Sequence, residues 1–160
     1  MGRAAGPPGP AAGGALQVRP AAREDAHGLS ELLGVLGYPC PPEEAAQRVM
    51  ALRHDPEQTL LVAADGATGK LVGLVACDVS YYLPLGAPTC RITALAVSED
   101  AQRKGVGRVL LREAESLARS SGAVRIELTS ASHRHEAHDF YRACGYEEGA
   151  LRFVRRLGDA

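Results

Sequence analysis

The sequence predicts an α/β protein organised around one mixed sheet, antiparallel in its first half and parallel in its second. Three observations carry that prediction. Short apolar runs separated by turn residues recur between Leu60 and Val97, the pattern of a strand meander. A strand, an amphipathic helix and another strand then succeed one another from Cys90 to Thr129, the crossover that produces parallel pairing. Two amphipathic helical stretches stand ahead of the meander, between Glu24 and His54.

Apart from Met1 and Arg3, the first fifteen residues are all Gly, Pro or Ala. Such a stretch buries too little side chain to offset its ordering entropy. Residues 1–15 are therefore expected to form a disordered tail, with a single domain over residues 16–157. The tail lacks the Leu- or Val-rich run of a secretory signal.

Leu16 to Arg19 alternates like a strand and stops at Pro20. Glu24 to Leu36 puts Leu29, Leu32, Leu33 and Leu36 at helical spacing, and Gly37-Tyr38-Pro39 ends the run. Pro42 suits the first turn of a second helix, and Glu43 and Glu44 suit its positive end. Its expected buried stripe is Ala45, Val49, Met50 and Leu52. Leu60 to Ala64 and Leu71 to Val79 fold back as a hairpin through the turn residues 65–70, with Gly73 hinting at a bulge. Cys90 to Val97 is the next strand. The following helix, Gly105 to Ser120, carries Val109, Leu110, Ala114, Leu117 and Ala118 on one face and is capped by Gly122. Val124 to Thr129 reads as a strand, Glu136 to Ala143 as a helix and Leu151 to Arg156 as a closing strand.

At 160 residues the chain is long enough for one domain that buries roughly two-thirds of its unfolded surface. Eighteen Lys and Arg against nineteen Asp and Glu leave a net charge of -1. No field of either sign then favours a nucleic acid or an anionic membrane surface. No apolar run approaches the ~20 residues that cross a bilayer. Cys40, Cys77, Cys90 and Cys144 are scattered, without a C-x-x-C pair, so spare buried thiols in a reducing cytoplasm are expected.

The chemistry concentrates in Gln102-Arg103-Lys104-Gly105-Val106-Gly107, set between a strand and a helix. Two glycines at alternate positions let a ligand approach the backbone. The free N–H groups of a first helical turn, at the positive end of the dipole, then make an anion cradle suited to phosphate. A P-loop needs Lys and Ser or Thr after its last Gly, whereas Lys104 precedes Gly105. The dinucleotide fingerprint needs a third Gly where Leu110 stands.

Residues Ile92 to Val97, a four-residue link, and Gln102-x-x-Gly105-x-Gly107-x-x-Leu110-Leu111 resemble motif A of the GCN5-related N-acetyltransferase superfamily. The string Ala137-His138-Asp139-Phe140-Tyr141-Arg142-Ala143-Cys144-Gly145-Tyr146 resembles that family's C-terminal A-x-x-F-Y-x-x-x-G-[FY] signature. With His135-Glu136 before it and Glu147-Glu148 and Arg152-Phe153 after it, this half is similar to bacterial small-molecule members such as aminoalkylphosphonate N-acetyltransferase. The resemblance implies a mixed sheet of six to seven strands, splayed between strands four and five, with about four helices. It also implies acetyl-CoA as co-substrate, with no metal. Pantetheine would lie along the backbone of Leu95, Ala96 and Val97. The diphosphate would rest on Arg103, Lys104, Gly105, Val106, Gly107 and Arg108.

Acetyl transfer from sulfur to an amine needs a neutral amine and a proton for the departing thiolate. A phenol, with an ordinary pKa near 10, keeps its proton at pH 7 and can donate it. Tyr141 stands where many family members keep that donor. The carboxylate many relatives carry on the strand entering the splay is replaced by Thr93 and Ala94. Ile126-Glu127-Leu128 resembles the Leu-Glu-Val-like triplet of the ribosomal-protein acetyltransferases, which makes Glu127 the candidate base. His133, His135 and His138 lack a fourth partner at metal-ligand spacing. The expectation is a cytoplasmic, bacterial-type N-acetyltransferase working on a small amine in a ternary complex. Two alternatives stand beside it, a protein or N-terminal amine acetyltransferase and a non-catalytic acetyl-CoA sensor. A homodimer is left open.

Overall fold

The computed structural model describes residues 15–130, 132 and 134–158; residues 1–14 of the expected tail, and His133, lie outside the described residues. The chain divides into two compact units, Met1–Glu127 and Leu128–Ala160.

In order, the elements are β1 (Leu16–Pro20), a short 3-10 turn (Arg23–Asp25), α1 (Ala26–Leu36), α2 (Pro42–Arg53), β2 (Gln58–Asp65), β3 (Leu71–Tyr82), β4 (Ala87–Val97), α3 (Val106–Ser120), β5 (Ile126–Leu128) and α4 (His135–Ala143). The sheet runs β1-β2-β3-β4-β5. The first four strands pair antiparallel, and β4 and β5 are parallel. At the start of that parallel pair, Cys90 N–H donates to the Arg125 carbonyl at 2.8 Å and Val124 N–H to Pro88 at 3.0 Å.

Among the described residues five strands form, where six to seven were expected. The closing strand is missing: residues 146–157 carry no regular secondary structure, and Leu151 and Phe153 stand 83% and 89% exposed. Apolar residues make a strand only where a neighbour takes up their N–H and C=O groups. Periodicity alone supplies no such neighbour.

α1 starts two residues later than its apolar pattern, at Ala26. The Asp25 carboxylate is held by Arg19 at 2.8 and 2.9 Å and by the Ala22 N–H at 2.8 Å, which fixes the preceding residues as a tight 3-10 turn. That guanidinium holds the Asp25 carboxyl below its ordinary range.

One face of the sheet is covered by α1 and α2. Leu29 and Leu32 from α1 and Ala45 and Val49 from α2 pack with Val62, Ala64, Leu71, Leu74 and Ala96. Each buried Val or Leu contributes ~1.5–3 kcal/mol of transfer free energy. Met50, expected in that stripe, is exposed instead. On the other face α3 buries Val106, Leu110, Leu111, Ala114 and Ala118, so the true stripe begins one turn earlier than its sequence reading and leaves Val109 and Leu117 at its margin.

Two bulges set which residues face which layer. In β3, Ala63 pairs with Gly73 and Ala64 with Leu71, so Val72 is the extra residue, beside the glycine that hinted at it. A Cβ on Gly73 would lie 2.8 Å from Leu110 Cδ1 and 3.0 Å from Val106 Cγ1. Only glycine lets the first turns of α3 sit this close to the sheet. In β4, Ala76 pairs with Ala94 and Cys77 with Ile92, which leaves Thr93 as the extra residue. That insertion flips the alternation of β4. Past it Ala94 and Ala96 face α1 and α2; before it Arg91 shares that face.

Candidate active site

The β4–α3 link holds the shape the glycine motif anticipates. Gln102 Nε2 donates to the Val97 carbonyl at 3.1 Å, closing the link across its base. Ser98 N–H donates to the Val72 carbonyl at 2.9 Å, which ties the end of β4 to the β3 bulge. Arg103 (φ 67°) and Gly105 (φ 88°) both adopt the left-handed conformation, and Arg103 is the one non-glycine among the described residues to do so. That conformation costs an L-residue roughly 1–2 kcal/mol, and such strain persists where the surroundings or a ligand hold it. Left-handed residues beside a helix start gather successive N–H groups into an anion-binding concavity.

α3 begins at Val106 behind Gly105, with no side chain capping its first-turn amides and no acidic residue in that turn. Its flanking charges are instead Arg103, Lys104 and Arg108, all exposed. Cations at a helix N-terminus oppose the dipole and cost stability unless an anion lies between. Nothing lies within 4 Å of the position a Gly105 Cβ would take, so the approach to the amides is open. These features fit a diphosphate.

Leu95, Ala96 and Val97 pair with Val75, Leu74 and Gly73 and lead directly into this cradle. Ala96 is buried and its two neighbours are half-buried. Thr93, where many relatives carry a carboxylate, turns its hydroxyl to the Ala76 carbonyl at 3.3 Å.

Glu127 stands on β5 with both carboxylate oxygens engaged. Oε2 accepts from Arg91 Nε at 3.2 Å and Nη2 at 3.1 Å. Oε1 lies 3.2 Å from Arg125 Nη2. The Arg125 guanidinium in turn stacks 5.0 Å over the Tyr82 ring. Neither arginine was among the residues the sequence singled out.

Within the second unit, Tyr141 lies on α4 between Phe140 and Tyr146, ring centroids 5.4 and 6.2 Å away. Burial pushes its phenol above the ordinary value, against the smaller opposing pull of Arg134. Tyr141 therefore keeps its proton at neutral pH, as a donor must. His135 and His138 meet edge to face at 5.8 Å. No group of three or more His, Cys, Asp or Glu among the described residues is arranged to hold a metal ion.

All four cysteines are free. Cys77 and Cys90 are buried and hydrogen-bonded to each other, which with burial pushes the Cys77 thiol well up. Buried against each other, they account for themselves as packing side chains.

Residues 26–146 match the model of the Acetyltransferase (GNAT) family. The chain belongs to that family. It is 32% identical over 89 residues to the aminoalkylphosphonate N-acetyltransferase of Salmonella typhimurium, covering 56% of this chain and 58% of that protein. It is also 32% identical over 95 residues to an N-acetyltransferase of Methanocaldococcus jannaschii, covering 56% of this chain and 42% of that one. The matches thus span about half the length of these GNAT relatives. The structure of a GNAT family acetyltransferase from Staphylococcus aureus superposes with a TM-score of 0.76 at 21% identity, covering 89% of this chain and 98% of that one. That likeness speaks to the fold alone.

Proposed function

We propose that this GNAT protein transfers an acetyl group from acetyl-CoA to the primary amine of a small molecule by direct attack in a ternary complex. The observation that carries this reading is the uncapped, cation-flanked start of α3 behind a left-handed Gly105. That arrangement is costly for the free chain and is relieved by a bound diphosphate.

In this reading the amides of residues 103–108, with Arg103, Lys104 and Arg108 around them, hold the diphosphate. The backbone of Leu95, Ala96 and Val97 takes the pantetheine amides, and Gln102 keeps the link in register by its hold on Val97. Bound acetyl-CoA supplies the acetyl group as a thioester. Glu127 accepts the proton of the incoming ammonium. Tyr141, held protonated by burial, delivers a proton to the departing sulfur. No metal takes part. The small-amine acceptor is favoured by the similarity to a Salmonella protein whose name gives an aminoalkylphosphonate as acceptor. A cytoplasmic setting fits four unpaired cysteines, and among the described residues no helix is long and apolar enough to cross a membrane.

The test is incubation of the full chain with acetyl-CoA and a panel of primary amines, with released thiol as the readout. Amine-dependent thiol release at micromolar protein upholds the reading. Stabilisation against melting by acetyl-CoA without thiol release for any amine or peptide N-terminus would replace it with a sensing role.

A further inference from the structure

We infer that Gly73, on the central strand β3 and far in sequence from the β4–α3 link, is a positioning residue for the cofactor site. The side chain it lacks sets how closely the first turn of α3 lies against the end of β4. This rests on the acetyl-CoA reading and deepens it.

A glycine inside a strand weakens it, having no side chain to pack. The φ of Gly73 lies outside the left-handed region, so no turn requires a glycine here. What the residue provides is room. A Cβ at this position would stand 2.8 Å from Leu110 Cδ1, 3.0 Å from Val106 Cγ1 and 3.1 Å from the Ala96 carbonyl oxygen, all closer than ordinary contact. Leu110 and Val106 are 0% and 4% exposed, so neither has solvent to swing into. Val106 is also branched at Cβ and stiff.

These neighbours belong to the two arms of the proposed site. Val106 is the first residue of α3 and contributes its amide to the phosphate cradle. Ala96 lies in the stretch of β4 that takes pantetheine. The strand pairing adds two ties. Gly73 pairs with Val97, whose carbonyl holds Gln102. The carbonyl of the adjoining Val72 accepts the Ser98 N–H at 2.9 Å. β3 thus holds the strand arm, the helix arm and the link between them at one point. Gly28 and Gly66 are crowded too, but against Leu71 and Ala15, which belong to neither arm.

A methyl group on residue 73 pushes the arms apart by a few tenths of an ångström. Backbone amides grip phosphate oxygens only at hydrogen-bond distance and angle, so the cradle feels the shift. Coenzyme A must then draw the arms together against the added bulk, a loss of about tenfold in affinity.

The test is calorimetric titration of coenzyme A into the full chain and its variants, below their melting temperatures. Gly73→Ala should bind about tenfold more weakly than the parent. In that background Val106→Ala removes the γ-methyl that the new one meets and gives Leu110, one turn on, space to move. The double variant should bind within about threefold of Val106→Ala alone. Val49→Ala opens a cavity in the α1–α2 layer. It should lower the melting temperature comparably and leave coenzyme A affinity unchanged. Val106→Ile keeps Gly73 but crowds the same gap from the helix side. It should weaken binding severalfold, and it decides alone should Gly73→Ala not fold. Parent-like binding by Gly73→Ala, or by Val106→Ile where that variant decides, overturns the inference and leaves the acetyl-CoA reading standing. So does a loss that Val106→Ala fails to relieve, or one that Val49→Ala shares. A parent chain that takes up no coenzyme A overturns both.

Discussion

Replacing Gly105 by alanine isolates what backbone shape contributes to the cradle. The added Cβ meets nothing within 4 Å, so bulk is not the perturbation; the φ of +88° is. An alanine held there costs roughly 1–2 kcal/mol. Gly122 offers a matched control at the opposite end of the same helix, with φ +79° and equally open space. At about 2–4 °C per kcal/mol for a chain of this size, both variants should lose about 2–8 °C in Tm. They should differ in binding. Gly105→Ala relaxes by swinging its amides out of the concave arrangement, and coenzyme A must restore that arrangement against the same strain. The dissociation constant should rise about 5–30-fold, the equivalent of 1–2 kcal/mol, while Gly122→Ala binds like the parent. Calorimetric titration of coenzyme A into the two variants decides. Equal affinity in both, alongside equal melting losses, would refute the claim that Gly105 shapes the binding loop.

Tyr141→Phe should lower kcat about 10²–10⁴-fold with coenzyme A affinity unchanged. The parent should also lose activity on the alkaline side as the raised phenol ionises, above the ordinary value near 10, and the variant should lack that limb. Glu127→Gln should lower kcat about 10²–10⁴-fold with coenzyme A affinity unchanged; an unchanged kcat would remove Glu127 as base. Gly107→Glu should abolish calorimetric binding of coenzyme A, through bulk and like charge against a diphosphate. Asp25→Ala should cost about 1–3 kcal/mol in urea unfolding by leaving Arg19 and the Ala22 amide unpaired. Because its carboxyl is depressed in the folded state, Asp25 stabilises above its unfolded value near 4 and loses that contribution as pH falls through the folded one. The variant should therefore show a shallower acid dependence.

The antiparallel meander, the α3 crossover and the glycine turn ahead of α3 were readable from the sequence because each has a local signature: turn residues, an apolar stripe, paired glycines. The Gly73 bulge was readable for the same reason. The Thr93 bulge was not, since apolar and small residues occupy both parities of β4 from Ile92 to Val97 and hide the flip in alternation. That flip is what brings Arg91 onto the α1 and α2 face. Arg91 and Arg125 were missed because their meaning lies in Glu127 and Tyr82, residues far away in sequence but adjacent across strands. The closing strand was misread for the converse reason, a local pattern without a pairing partner.

The most direct test of the cradle is residue by residue. Backbone amide resonances of the isotopically labelled full chain, followed during titration with coenzyme A, should shift most at residues 103–108, with a second group at Leu95–Val97. Saturating shifts that leave residues 103–108 unmoved, or no shifts at all, would contradict the account.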